Sequence, residues 1–296
     1  MMAADRNARS GTFPNGMDYL SWGSGPGTLL FIPGGPGSSI PTGVLRRMFR
    51  RQLDAFVQAG YAVWMVTRRR GMPPEHTIAD MADDYARLVA EEFGGRVDLV
   101  VAESFGGMVA QYLAARHPDS FGHIAMVVTA AELSDWGKDV DSRMAEALAG
   151  GDTNGAGAVF AEYLLPGRRL KWLRRLMGPV LSRQLPGGSD VPAQDVLTEA
   201  QGERTFNSRA VLPHIRRPVL LICGGSDQVF KRDVAQETAG LIPDCTLVWY
   251  QGKGHLRAAS SGRIAADVLA YARRSGTLPI RGPAGLTADS DPEPAS

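Results

Sequence analysis

A short apolar run, Val97-Asp98-Leu99-Val100-Val101-Ala102, passes without a break into Glu103-Ser104-Phe105-Gly106-Gly107 and then into a helical pattern. No other stretch restricts the fold of this chain so strongly. A buried strand that hands over to a helix within a few residues needs a tight turn, and a tight turn forces backbone and side chains into close approach. Ala102 and Gly106, two positions either side of the serine, keep that space clear. The Ser104 hydroxyl is then left exposed at the tip of the turn. The helix that starts beside it contributes N–H groups without an intrahelical partner and a positive field, both suited to a developing anion.

The remaining pattern extends this strand–helix unit into layers. Apolar runs at residues 28–32, 62–67, 97–102, 124–129, 219–223 and 246–250 are short and mostly apolar throughout, as in central parallel strands buried on both faces. Helical patterns at residues 44–59, 78–93, 105–116, 231–241 and 262–273 alternate with them. Thr77 and Asp80 mark a helix entry of the capping-box kind. The expected fold is α/β, with a doubly wound, mostly parallel sheet covered by helices on both sides. Residues 12–22 would add an antiparallel hairpin at one edge.

The rhythm lapses once. Residues 132–213 show no strand pattern and read as helices interrupted by glycines at 150–157 and 187–188. An insertion at this point lies above the carboxyl ends of the strands, where ligands bind. The predicted organisation is a core of residues 1–131 and 214–276, a helical cap or lid over 132–213, and a disordered tail over 277–296.

Bulk properties remove several function classes. The formal net charge is +1 and charged residues make up 21% of the chain, so no basic footprint for nucleic acid is present. Cys223 and Cys245 are the only cysteines and both fall in apolar runs, which excludes a disulfide scaffold and fits a reduced, cytoplasmic setting. No apolar stretch approaches the ~18–20 residues that span a bilayer. Residues 1–10 are polar, without the apolar segment of a secretory signal. No stable membrane insertion is expected, and a homodimer is an allowed assembly. Metal chemistry finds no histidine pair at i, i+4 and no cysteine pair, and no cofactor is expected.

A serine hydroxyl is a weak nucleophile until a base accepts its proton and a third group orients that base. Two later positions fit these roles. Asp227 stands just past the apolar run Val219-Leu220-Leu221-Ile222-Cys223, across a Gly224-Gly225-Ser226 turn. An Asp in such a turn also serves simply to cap the next helix. His255 lies in the loop Gln251-Gly252-Lys253-Gly254-His255 after the last apolar run, where it would reach over Ser104. His76, His117, His123 and His214 each stand beside a helix or strand end with an ordinary structural explanation. Phe31-Ile32-Pro33-Gly34-Gly35-Pro36-Gly37 follows another strand and presents backbone N–H groups free of bulky side chains. A tetrahedral oxyanion needs two donors at ~2.7–3.1 Å, and Gly35 with Phe105 would supply them. A phosphate loop is the rival reading, but the chain has no G-x-x-x-x-G-K-[ST], and Ile40 occupies the third glycine of a G-x-G-x-x-G frame.

The order Ser104, Asp227, His255, together with the loop Pro33–Gly37, resembles the α/β-hydrolase fold superfamily over roughly residues 19–273. The Gly-Gly-Pro-Gly loop is similar to that of proline iminopeptidase-like and esterase-like members. The resemblance implies Ser104 as nucleophile, His255 as base, Asp227 as orienting acid, and Gly35 and Phe105 as oxyanion donors. Glu132, after the run at 124–129, is the alternative acid in the arrangement of some members of the family this pattern resembles. It also implies a small-molecule acyl substrate: a carboxylic ester, thioester or lactone of a small to medium apolar compound. The same triad serves C–C cleavage, cyclisation or acyl transfer in some relatives, and others bind ligands without catalysis. Two features depart from the usual pattern. Pro33 stands where most of the family has His, which removes a support for the loop, and Glu103 places a carboxyl beside the serine.

Two arginine-rich stretches complete the reading. Arg68-Arg69-Arg70 follows a strand on the ligand side, where one arginine would meet a substrate carboxylate or all three would be solvated. The run Arg168-Arg169-Leu170-Lys171-Trp172-Leu173-Arg174-Arg175-Leu176-Met177 reads as a cap helix with a solvated charged side, the alternatives being a lid helix that admits apolar or anionic substrate groups or a surface that docks on a partner or an anionic membrane.

Overall fold

The computed structural model describes residues 8–35, 37–165, 170–185 and 191–274. The expected tail at 277–296 lies outside these residues. Eight strands form one sheet: β1 (Arg9–Thr12), β2 (Met17–Trp22), β3 (Gly27–Ile32), β4 (Tyr61–Arg69), β5 (Val97–Glu103), β6 (Phe121–Val127), β7 (Val219–Gly224) and β8 (Cys245–Tyr250). Their spatial order is β1-β2-β4-β3-β5-β6-β7-β8. β1 and β2 pair antiparallel, as do β2 and β4, and every other pair is parallel. The hairpin therefore starts earlier than expected, at Arg9, and turns at residues 13–16 with Gly16 at φ 82°.

Hydrophobic burial assigns the helices to the two faces. α1 (Gly43–Gln58) and α10 (Ile264–Arg274) pack Leu53, Phe56, Val268 and Leu269 against Leu29, Phe31, Leu99 and Val101 on one face. α2 (Ile78–Glu92), α3 (Phe105–Arg116) and α8 (Arg232–Leu241) cover the other, where Tyr85, Leu88, Met108 and Val109 meet Leu30, Ile32 and Val100. Alternate residues of β3 and β5 thus serve opposite cores, which is why those strands read as continuous apolar runs. The chain leaves β3 for β4 on one side and returns to β5 on the other. Connections diverge between β3 and β5, and a crevice opens at their carboxyl ends. Both the glycine loop and Ser104 lie there.

β6 stops two residues short of the expected 129. Val128 takes φ 47°, turning its N–H to the carbonyl of Ile222 at 2.7 Å. The described residues between β6 and β7 contain no strand. They form α4 (Asp135–Ala149), α5 (Thr153–Phe160), a 3₁₀ turn (Ala161–Tyr163), α6 (Lys171–Leu181), a second 3₁₀ turn (Ser182–Gln184), α7 (Ala193–Thr205) and a third 3₁₀ turn (Leu212–His214). Met144, Leu148, Ala156, Val196 and Ala200 give this insertion its own small core. A backbone-close contact joins α5 to α6: a Cβ on Gly157 would lie 2.2 Å from the carbonyl oxygen of Gly178. Asp195 of α7 accepts the N–H groups of Gly71 and Met72 at 3.0 and 2.8 Å, fastening the insertion to the turn after β4. Among the described residues, no helix is long and apolar enough to cross a membrane.

Candidate active site

The turn at Ser104 takes the strained shape its sequence anticipates. Ser104 has φ 52° and ψ −113°, and it shares a positive φ with only Val128 among the described non-glycine residues. Such a conformation costs ~1–3 kcal/mol and persists only where its surroundings fix it. Ser104 N–H donates to the Val127 carbonyl at 2.9 Å, while its own carbonyl accepts the first helical bond of α3, from Met108 at 3.1 Å. Gly106 lies so near β3 that a Cβ would sit 2.2 Å from the Ile32 carbonyl oxygen. A Cβ on Gly34 would meet the Ser104 Cβ at 3.0 Å. Small residues therefore press the glycine loop and the serine turn together.

Ser104 Oγ lies 3.0 Å from His255 Nε2, and His255 Nδ1 lies 2.8 Å from Asp227 Oδ2. A carboxylate on Nδ1 makes that nitrogen the donor, leaving Nε2 to accept from the serine. His255 stands at the first position of a five-residue helix, α9 (His255–Ala259), and not on a flexible loop as expected. Its ring packs between Tyr163 and Phe230, at centroid distances of 5.9 and 5.8 Å. Burial alone would lower the imidazole pKa, but the charge and hydrogen bond of Asp227 outweigh it, and the net shift is upward. Asp227 also performs the turn role considered for it. Oδ1 accepts the N–H groups of Val229 and Phe230 at 2.8 and 3.2 Å while Oδ2 faces His255. Glu132 is engaged elsewhere: Lys138 and Arg209 each contact it at 2.8 Å and hold its carboxyl below the usual range.

Gly35 and Gly37 adopt φ 72° and 68°, so the loop after β3 depends on glycine conformations. Its support comes from a direction the sequence reading did not anticipate. Arg68, at the end of β4, is 1% exposed and meets no solvent. Its Nη1 donates to the Pro33 carbonyl at 2.9 Å and its Nη2 to the Gly35 carbonyl. The guanidinium lies 4.2 Å from the centroid of the Phe105 ring. Glu199 of α7 receives the other side of the fork, Nε at 2.7 Å and Nη2 at 2.9 Å, and also accepts the Gly37 N–H. Burial works against the arginine's charge, but Glu199 more than compensates and its pKa rises. Arg70 instead pairs with Asp18 at 3.0 Å, and Arg69 lies 3.7 Å from Asp84.

Glu199 carried a signal that went unread. Asp195, Glu199 and Glu203 recur every four residues along α7, and all three are buried. An acidic stripe at helical spacing that turns inward needs cationic or N–H partners, and the arginines at the end of β4 are the obvious source. Glu203 lies in the same buried region as Asp141, Glu199 and Arg68. Burial, with Asp141 and Glu199 nearby, drives its carboxyl pKa well up, and its Oε2 is buried without a hydrogen-bond partner. Asp141, which accepts the Tyr163 hydroxyl, is pushed up to about 6 by burial. Glu103, behind the serine, is pushed up to about 8 by burial against an opposing hydrogen bond from Gln52 at 2.7 Å. The same Gln52 amide donates to the Ala259 carbonyl at 3.0 Å, so it joins the serine turn to the helix that carries His255.

The profile of the alpha/beta hydrolase family matches residues 29–267. The chain belongs to the alpha/beta hydrolase family. Among curated relatives, this hydrolase is 30% identical over 184 residues to a pimeloyl-[acyl-carrier protein] methyl ester esterase of Chromobacterium violaceum, covering 59% of this chain and 68% of that protein. It is 26% identical over 208 residues to a putative carbamate hydrolase of Yersinia enterocolitica, covering 67% and 72%. A thermophilic esterase of Thermogutta terrifontis superposes with TM-score 0.65 at 20% identity, covering 92% of this chain and all of that one. The enol-lactonase of Burkholderia xenovorans superposes with TM-score 0.62 at 19% identity, covering 87% and 94%. At those identities the structural likeness speaks for the fold alone.

Proposed function

We propose that this hydrolase cleaves a carboxylic ester, thioester or lactone of a small to medium apolar acyl compound through an acyl-enzyme on Ser104. The observation that carries the reading is the unbroken hydrogen-bonded sequence Ser104–His255–Asp227, starting from a serine held in a strained turn. His255 Nε2 takes the Ser104 proton as Oγ bonds to the acyl carbon. Asp227 keeps the imidazole in the accepting tautomer and stabilises the imidazolium. The N–H groups of Gly35 and Phe105 receive the oxyanion, one from the glycine loop and one from the amino end of α3. The leaving group departs with the proton from His255, and water then reverses the same steps to free the acid. The Tyr163 and Phe230 rings against His255 put apolar surface beside the catalytic imidazole, which supports an apolar acyl group over a charged one. Relatives named as a methyl ester esterase and a carbamate hydrolase support acyl chemistry.

Hydrolysis of a series of p-nitrophenyl esters of increasing chain length tests this. Ser104→Ala should abolish turnover above background, Asp227→Asn should reduce it ~10⁴-fold, and Glu132→Gln should leave it within a few-fold. Full turnover by a folded Ser104→Ala variant would refute the proposal, and a large loss in Glu132→Gln with little loss in Asp227→Asn would reassign the acid.

A further inference from the structure

We infer that Arg68 and Glu199 are positioning residues that hold the glycine loop in its anion-binding shape and make that shape depend on the docking of α7. The inference rests on the acyl-enzyme reading above. The peptide that presents the Gly35 N–H joins Gly34 to Gly35. Arg68 holds the carbonyl of Pro33, on the peptide before it, and that of Gly35, on the peptide after it. A peptide bracketed by two anchored neighbours has little freedom to rotate its N–H away. The same guanidinium stacks on Phe105, whose N–H is the second proposed donor, so one side chain contacts both donor residues.

Among the described residues Pro33, Gly34, Gly35 and Gly37, no side chain replaces this anchor. Pro33 has no side-chain donor, and the positive φ of Gly35 and Gly37 is a shape glycine adopts without holding. Arg68 in turn depends on Glu199. A buried guanidinium without its counter-charge is strongly unfavourable, and the two-pronged contact fixes its plane as well as its charge. Glu199 belongs to α7, within the insertion, and it also takes the Gly37 N–H. Loop and insertion are therefore fastened through one carboxylate. An insertion that lifts away removes the loop's anchor, so the anion-binding site is complete only beneath a closed cap.

The test is the double variant Arg68→Met/Glu199→Leu, beside Arg68→Lys and Ser104→Ala. Replacing a buried ion pair by apolar residues of similar volume generally preserves folding. The expected result is a fall in kcat of about 100-fold, the scale of losing one oxyanion donor, with KM within about threefold, the pattern of a contact made in the transition state. Affinity for a trifluoromethyl ketone, which forms the tetrahedral oxyanion on serine, should fall in proportion to kcat/KM. Arg68→Lys, with the charge but not the fork, should recover only part of the loss. Unchanged kcat, or unchanged ketone affinity alongside a lowered Tm, would overturn the inference. If Ser104→Ala is inactive and the double variant is not, this inference alone fails; if Ser104→Ala is active, the acyl-enzyme reading fails first. Hydrogen exchange on the unmodified protein needs no variant: the Gly37 amide should exchange at the rate of the α7 amides. Exchange tenfold faster than α7 would contradict the coupling.

Discussion

Single residues set the chemistry here through their neighbours. In the proposed mechanism His255 must be neutral at Nε2 to accept the Ser104 proton, and Asp227 raises its pKa above the ordinary 6.5 despite burial. Activity should therefore fall on the acid side with a midpoint above 6.5 in kcat/KM. In Asp227→Asn the residual activity should have its acid limb shifted to lower pH, and an unmoved limb would show that another group controls it. Glu103 tests burial in the opposite sense. Its carboxyl titrates near 4.5 when unfolded and near 8 when folded, so the folded state holds the extra proton between those values. Stability from this group is complete below about 4.5 and is lost as pH rises through about 8, an effect on the order of a few kcal/mol. Glu103→Gln, which keeps an acceptor for Gln52, should gain stability over the wild type as pH increases from 5 to 9 in denaturant titrations. A pH-independent difference would contradict it.

Elements were legible where a local cause forms them. The Thr77–Asp80 signal produces a capping box at α2, with the Thr77 side chain accepting the Asp80 N–H and the Asp80 carboxylate accepting that of Thr77. Thr77→Ala should cost ~0.5–2 kcal/mol in denaturant unfolding with no change in KM. The positions of Ser104, Asp227 and His255 beyond strand ends were legible because each follows a short apolar run of strand length. The helix carrying His255 was not, since five residues are too few to display a 3.6-residue period. The early end of β6 was hidden for another reason: the positive φ at Val128 is a backbone choice that no side-chain pattern records. Within the insertion, α5 and α6 meet through glycines, and this contact is open to a direct test. Gly157→Ala would push a methyl group into the Gly178 carbonyl and should destabilise the insertion by ~1–3 kcal/mol, seen as faster hydrogen exchange in α5 and α6 than in the sheet. Equal protection of α5 and α6 in Gly157→Ala and the unmodified protein would show that the helices repack freely.

At the scale of the molecule, the fold places unrelated sequence segments at one point. Loops after β3, β5, β7 and β8 converge at the carboxyl edge of the sheet, where Ser104 meets His255 across 151 residues of sequence. Strand order explains why: β3 and β5 are neighbours whose connections diverge, and the crevice between them receives the glycine loop and the serine turn together. That much follows from alternating runs of apolar residues. What the runs do not reveal is the partner of Arg68, because the choice of Glu199 is made 131 residues away by the way α7 docks. Solvation was the ordinary expectation for a strand-end arginine, and burial against a carboxylate from the insertion replaced it. The most direct measurement of the central claim is mass spectrometry of the protein after treatment with a fluorophosphonate. A single adduct on Ser104, absent from Ser104→Ala and formed far more slowly in His255→Ala, is the predicted result. Labelling that persists in Ser104→Ala, or a folded protein that takes no label, would contradict it.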